Sequence, residues 1–288
     1  VQEWITLMRG ISLLSAGDSA AATDSLQPLI QKQHPRGNVL IPSMVLFELA
    51  EFNLKQGKLH QAESLYRQVL DMAEDGSGKR LPAAGKALIG LGELAREWDD
   101  LETAEKYLQE GITLSSQWSQ LSAFSGYLSL AKLRMAQGDP TGVETIFAEL
   151  RRIAGQFDIM DVDDQMVEMA ETRFQLALGS LEAPRRWAAR YHLLDTVPGE
   201  EEIQILAETH VRIRKYTYPL LARLYLAEGK PDDALAILDP LLSYIRDMDR
   251  PMLMIDTEIN RSLAFQAKGD TRTALASLRH ALALAQPE

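Results

Sequence analysis

The chain of 288 residues contains no cysteine, so it can form neither disulfide bonds nor thiolate metal sites. Its apolar runs are far shorter than the roughly 18 residues of a membrane-spanning helix, and no signal region opens the chain. We therefore expect a cytoplasmic protein that does not contact the membrane. Lysine and arginine total 30 against 41 acidic residues, and the net charge of −11 disfavours direct contact with nucleic acid.

The sequence also lacks the short motifs of common enzyme classes. It contains no GxxxxGK[ST] phosphate loop, no HExxH zinc motif, no CxxC and no GxSxG serine motif. The five histidines are scattered, without a pair at i, i+4 spacing. We therefore predict that the chain is not an enzyme, and that it has no catalytic residue, metal ligand or cofactor of its own.

What the sequence does contain is a repeated pair of amphipathic segments. In the clearest copy, apolar residues recur at helical spacing from Leu46 to Leu54 and again from Leu59 to Val69. Gly57 lies between the two segments, where the end of a helix often needs a positive φ that glycine adopts without a Cβ clash. This arrangement predicts two helices that fold back on each other. No stretch alternates apolar and polar residues long enough to predict a strand.

With Gly57 as a reference, six further turns are found at intervals of about forty residues. The predicted turns lie at Gly17, Gly57, Asp99, Gly138, Gly179, Gly229 and Gly269. A small residue precedes each turn by seven positions, namely Gly10, Ala50, Gly92, Ala131, Thr172, Ala222 and Ser262. Nine positions after each turn, except in the fifth copy, stands a bulky residue, namely Leu26, Tyr66, Leu108, Phe147, Leu238 or Leu278. The period predicts seven helical hairpins.

This pattern of small residue, turn, alanine and then leucine or an aromatic resembles the tetratricopeptide repeat, which stacks into a solenoid. The longer period and the segments 96–112, 222–242 and 267–288 are similar to the sensor domain of MalT-like regulators, the large ATP-binding members of the LuxR group. The resemblance implies an all-α, right-handed superhelical solenoid of about 14 helices. It also implies an N-terminal ATP-binding domain and a C-terminal DNA-binding domain outside this chain, so ATP is expected only in the former.

We expect residues 1–288 to form a single repeat domain. The units are predicted at residues 2–38, 39–79, 80–119, 120–160, 161–198, 199–249 and 250–288. The chain stops directly after a helical pattern, ALALAQPE, which predicts a fragment of a longer regulator.

A solenoid of hairpins has a concave surface lined by the first helix of each hairpin. In the tetratricopeptide pattern the residue after the small core position points into this groove, and it is charged in the five central units. With neighbouring polar residues, the predicted ligand- or partner-binding set is Glu51, Lys86, Glu93, Arg96, Lys132, Arg173, Arg212, Lys215, Tyr216, Arg223 and Asn260. The alternative for each is an ordinary solvated side chain, and for the basic and aromatic cluster at 212–218 it is a surface paired with nearby glutamates.

Two functions stay open. In the first, the chain is the effector-sensing domain of a MalT-like transcriptional activator and binds a small-molecule inducer or a regulatory protein. Neighbouring domains of the same regulator and further copies of the chain are then additional expected partners. In the second, it is a passive scaffold that holds a peptide or partner protein without a small-molecule effector. A phosphate-loop motif upstream would favour the first.

Overall fold

The structure is a computed structural model that describes residues 2–16, 18–31, 39–156, 161–194, 214–246 and 250–286. Within these ranges the backbone is helical or forms short turns, apart from one isolated bridge between Glu74 and Arg80. Across the same ranges, every helix is too short or too polar to cross a membrane. The prediction of an all-α fold is confirmed.

The helices of the described ranges pair into seven hairpins, as predicted. The first four are α1 (Gln2–Ala16) with α2 (Ser19–Gln31), α3 (Leu40–Lys55) with α4 (Leu59–Met72), α5 (Gly85–Glu97) with α6 (Leu101–Ser116), and α7 (Phe124–Ala136) with α8 (Pro140–Gln156). The others are α9 (Asp161–Ala177) with α10 (Glu182–Arg190), α11 (Arg214–Ala227) with α12 (Pro231–Ile245), and α13 (Pro251–Ala267) with α14 (Thr271–Ala285). Short 3-10 turns, Pro82–Ala84 and Gln120–Ala123, precede α5 and α7.

The contacts divide the chain into two compact units, Val1–Asp158 and Ile159–Glu288, which we name unit 1 and unit 2. In unit 1 the first helices of successive hairpins contact one another in the series α1, α3, α5, α7. In unit 2, α9 contacts α11, and α11 contacts α13. The surface formed by these helices in each unit is named its first-helix face. That residues 1–288 form a single domain stays a prediction.

The predicted turns have the backbone conformation that was expected of them. Positive φ values of 62° to 80° occur at Gly57, Asp99, Gly138, Gly179, Gly229 and Gly269. Gly17 lies outside the described residues. Asp99 replaces glycine in the third hairpin, because a short polar side chain tolerates this conformation better than most. The next residue, Asp100, begins α6 by accepting a hydrogen bond from the Thr103 backbone N–H at 3.1 Å.

The small and bulky positions of the repeat contact each other inside a hairpin. A Cβ added to Gly10 would lie 2.3 Å from Leu26 Cδ2, and one added to Gly92 would lie 2.6 Å from Leu108 Cγ. Both leucines are fully buried. The small residue therefore lets the two helices approach closely enough to bury the leucine. In the last hairpin the corresponding Leu278 is 37% exposed, since in the described part of the chain α14 packs on one side only.

Candidate functional site

The first-helix face of unit 1 carries a largely buried carboxylate that joins two hairpins. Glu93 and Arg96 lie one turn apart on α5, and Ser129 and Lys132 lie one turn apart on α7. Glu93 Oε1 accepts hydrogen bonds from Ser129 Oγ at 2.5 Å and from Lys132 Nζ at 2.7 Å. Glu93 Oε2 accepts from Arg96 Nη2 at 3.2 Å. The stacking of α5 on α7 therefore brings three predicted site residues, Glu93, Arg96 and Lys132, into one network.

The environment of Glu93 fixes its charge. Burial by itself would raise the pKa of this carboxyl group, because an apolar environment disfavours the ionised form. The charges of Lys132 and Arg96, together with hydrogen bonds from Lys132 and Ser129, outweigh burial and lower the pKa of Glu93 to about 2. The carboxylate is therefore ionised at neutral pH and already holds its partners. Only Lys132, whose side chain is 51% exposed, leaves much polar surface for a ligand.

A tyrosine from α4, the second helix of its hairpin, also reaches the first-helix face of unit 1. The Tyr66 hydroxyl on α4 donates a hydrogen bond to Glu51 Oε1 on α3 at 2.7 Å. The Tyr66 ring packs against Gly90 of α5, where an added Cβ would lie 2.3 Å from Tyr66 Cζ. Burial first, and then Glu51, raises the pKa of the Tyr66 hydroxyl, so it stays protonated and donates. Glycine at position 90 therefore makes the contact between Tyr66 and the predicted residue Glu51 possible.

Lys86 connects the first helices α3 and α5 by another interaction. Its Nζ atom lies 5.2 Å from the centroid of the Phe47 ring on α3, within the range of a cation–π contact. The Lys86 side chain is exposed, so its ammonium group is accessible from solvent. On the first-helix face of unit 1 the predicted charges are thus paired with each other, hydrogen-bonded to Tyr66 or placed over a ring.

In unit 2 the first-helix face carries two arginines and one aspartate, each from a different helix. Arg223 on α11 donates from Nε to Asn260 Oδ1 at 3.0 Å and from Nη2 to Asp256 Oδ1 at 2.7 Å. Arg173 on α9 places Nη2 3.7 Å from Asp256 Oδ2. Asp256 and Asn260 lie one turn apart on α13, and Asn260 Nδ2 donates to the Asp256 carbonyl at 2.8 Å. We name these four residues the arginine-pair site.

The arginine-pair site has more positive than negative charge. Two guanidinium groups (+2) face one carboxylate (−1), which leaves a net charge of +1. Burial, the largest influence, lowers the pKa of Arg173, Asp256 raises it, and Arg223 lowers it, so that the net shift is downward. Arginine nevertheless remains protonated in proteins. The Arg173 side chain is 40% exposed, so the cation can be reached from solvent. Such a group can bind a carboxylate or phosphate.

The whole sequence matches one protein family. The family model described as the MalT-like TPR region covers residues 1–288. The chain belongs to the MalT-like TPR region family. This confirms the resemblance drawn from the repeat pattern, since TPR denotes the tetratricopeptide repeat.

Other comparisons with known proteins are more distant. No curated protein matches this MalT-like TPR region. Among solved structures it is similar to one described as the crystal structure of BtubC (BKLC) from P. vanneervenii. That similarity has 19% identity and a TM-score of 0.34, and it covers 98% of this chain and 91% of that chain. Such a distant likeness supports no functional argument.

The remaining predicted residues of the MalT-like TPR region cannot be placed in these networks. Arg212 lies outside the described residues. Lys215 and Tyr216 lie in the first turn of α11, where the structure describes the backbone alone. The basic and aromatic cluster at 212–218 therefore stays a prediction, except that Tyr218 is buried in a hydrophobic core. The role of every predicted residue in binding also stays a prediction. In the described part of the chain, no three histidine, aspartate or glutamate side chains come together as metal ligands.

The predicted binding set omits three members of these networks. Ser129 and Tyr66 act through hydrogen bonds to predicted acids, and Asp256 bridges the two predicted arginines. Asp256 has a recognisable signal, because it precedes Asn260 by four residues and so shares its helical face. No comparable sequence signal identifies Tyr66 as part of the network, since its position in the repeat marks it only as a core residue.

Proposed function

We propose that this MalT-like TPR region is the effector-sensing and protein-interaction domain of a MalT-like, ATP-dependent transcriptional activator that acts in the cytoplasm. An inducer or a regulatory partner would bind on the first-helix faces. The domain would take part in no catalysis and carry no cofactor, because ATP would bind to a separate N-terminal domain. The observation that carries the proposal is the meeting of charged residues from successive hairpins on one face of each unit.

The position of these networks suits a sensor. Arg223 contacts Asp256 and Asn260 across the junction of α11 and α13, and Arg173 on α9 approaches the same aspartate. A ligand that replaced one of these contacts would bind one arrangement of the hairpins better than another. It would therefore shift the population of arrangements, which is how binding at one site is communicated to neighbouring domains.

A passive scaffold is the second candidate function, and one observation in unit 1 favours it. Glu93 accepts hydrogen bonds on both carboxylate oxygens, from Lys132, Arg96 and Ser129, so this carboxylate needs no small molecule to satisfy it. A peptide or partner protein could instead use the exposed ends of Lys132 and Lys86. Under this alternative, proteins would bind the domain and small metabolites would not.

The test begins with thermal-shift screening of a metabolite library against the 288-residue protein, followed by isothermal titration calorimetry of each compound that stabilises it. For compounds bound in unit 2, Arg173→Ala and Arg223→Ala should each lower affinity about tenfold or more, since a charged hydrogen bond is lost. Arg186→Ala and Arg279→Ala are the matched controls, because both arginines are exposed on second helices.

The result that would contradict the proposal is a ligand whose affinity is unchanged by substitutions on either first-helix face and falls in the second-helix controls. For unit 1 the corresponding variant is Lys132→Ala, with Lys106→Ala on α6 as its control. A protein partner captured with no metabolite bound would support the scaffold.

A further inference from the structure

One carboxylate is shared between the two guanidinium groups of the arginine-pair site, and it is shared unequally. Asp256 Oδ1 lies 2.7 Å from Arg223 Nη2, a normal charged hydrogen bond. Asp256 Oδ2 lies 3.7 Å from Arg173 Nη2, which is beyond hydrogen-bond distance. Arg223 is also held by Asn260, whereas Asp256 is the one charged partner that Arg173 has in the described part of the chain.

Within the described residues, Arg173 therefore has hydrogen-bond donors without an acceptor. A guanidinium group has five N–H donors arranged to match a carboxylate, and it binds carboxylates in a bidentate manner. The Arg173 side chain is 40% exposed, so the cation is less well solvated than an arginine on an open surface. A carboxylate that joined this cation would gain more than it would beside a fully solvated arginine.

The charge of the site favours a ligand with one negative charge. The cluster has a net charge of +1, so a monoanion would neutralise it, whereas a phosphate dianion would leave an excess negative charge. An anion with two charges would in addition be repelled by a protein whose overall charge is −11. A carboxylate thus fits the site better than a phosphate.

An exposed leucine on the same helix face as Asp256 and Asn260 indicates the rest of the ligand. Leu263 follows Asn260 by three residues and Asp256 by seven, so the three side chains share one face of α13. Leu263 is 54% exposed, although it shares this helix face with the buried Asn260 and the partly buried Asp256. An apolar group attached to the ligand carboxylate could cover this leucine and gain free energy from the apolar area removed from water.

We propose that the arginine-pair site binds a small aliphatic monocarboxylic acid, with its carboxylate on Arg173 and its alkyl group against Leu263. This deepens the proposed function, on which it rests for the use of the first-helix face as a binding surface. In the bound state the ligand carboxylate accepts hydrogen bonds from Arg173, which Asp256 is too far away to do. Asp256 keeps its contact with Arg223, and the connection between α9 and α13 then runs through the ligand.

The test is isothermal titration calorimetry of hexanoate into the 288-residue protein at constant ionic strength. Acetate, 1-hexanol and inorganic phosphate are the comparison compounds. Hexanoate should bind, and acetate should bind about tenfold or more weakly because it lacks four methylene groups that can cover Leu263. Hexanol should bind weakly or not at all, because it has no charge to place beside Arg173. Stronger binding of phosphate than of hexanoate, or equal binding of hexanol, would overturn the proposal.

Two variants separate a binding role from a structural one. Arg173→Ala should weaken hexanoate about tenfold or more, whereas Arg186→Ala on α10 should leave its affinity unchanged. Asp256→Asn should strengthen hexanoate several-fold, because it removes the carboxylate that competes for the arginines while an amide oxygen can still accept from Arg223. A damaged fold would weaken binding in both variants, so a higher affinity of Asp256→Asn for hexanoate is the informative result. Circular dichroism verifies that each variant is folded.

The two proposals fail in different ways. If hexanoate does not bind the wild type and Asp256→Asn gains nothing, the monocarboxylate inference is overturned. The proposed function would still hold if another metabolite or a protein bound in a manner that depends on Lys132, Arg173 or Arg223. If every ligand found were insensitive to those residues, both proposals would be overturned.

Discussion

Replacing Glu93 by glutamine is the sharpest perturbation of the network in unit 1. The substitution preserves the size of the side chain but removes the negative charge that Lys132 and Arg96 share. Glu93 is only 16% exposed, so solvent cannot replace the lost interactions fully. Two cations would then lie beside a neutral amide at the contact between α5 and α7. We expect unit 1 to lose stability.

The magnitude follows from the pKa of Glu93, which is about 2 in the folded protein against an ordinary value of 4.5. The difference of about 2.5 units corresponds to about 3 kcal/mol of unfolding free energy at neutral pH. Because the folded pKa is the lower one, this stabilisation is present above pH 4.5 and is lost as the pH falls towards 2. The difference between wild type and Glu93→Gln should therefore decrease to roughly half by about pH 3.

The assay is urea denaturation followed by circular dichroism at pH 7 and pH 3. Glu102→Gln is the matched control, because the Glu102 side chain on α6 is 82% exposed and pairs with the exposed Lys106. Pairs of this kind contribute little, so the control should resemble the wild type. The reasoning would be refuted if Glu93→Gln were no less stable than Glu102→Gln at pH 7. A difference from wild type that did not change between pH 7 and pH 3 would also refute it.

Two further predictions concern glycine positions, and both are measured by thermal and urea denaturation. Gly90→Ala should destabilise the protein by about 1–3 kcal/mol, because its Cβ would overlap the Tyr66 ring. Gly155→Ala on α8, where no atom lies within 4 Å of the added Cβ, should be neutral or slightly stabilising. Asp99→Gly should stabilise by roughly 0.5–1 kcal/mol, since glycine adopts the φ of 62° without strain. Gly229→Ala, at φ 74°, should destabilise by about 1 kcal/mol. Equal changes in stability for Gly90→Ala and Gly155→Ala would contradict the first explanation. Equal changes for Asp99→Gly and Gly229→Ala would contradict the second.

The sequence was sufficient to predict the hairpins because their determinants are local. A turn residue that adopts positive φ and a small residue seven positions earlier are both visible in a stretch of about forty residues. The observed contact of Gly10 with Leu26, and of Gly92 with Leu108, explains why the two positions recur together. The overall pairing of helices therefore required no knowledge of distant contacts.

The site was predicted only in part, because its contacts depend on how successive hairpins stack. Glu93 and Lys132 are 39 residues apart and occupy the same position of the repeat, so the period alone places them side by side. Asp256 stands at another repeat position, thirteen residues before its turn at Gly269. Its approach to Arg173 depends on the relative register of α9 and α13, which no local pattern specifies. Likewise, Tyr66 reaches Glu51 only because Gly90 leaves room on a different hairpin.

Hydrogen–deuterium exchange with and without an effector identified by the thermal-shift screen tests most directly whether recognition occurs on the first-helix faces. Binding should slow exchange in α9, α11 and α13 of unit 2, or in α3, α5 and α7 of unit 1. Exchange in the second helices of the same hairpins should change little. Protection confined to the second helices, with the first helices unaffected, would contradict the account.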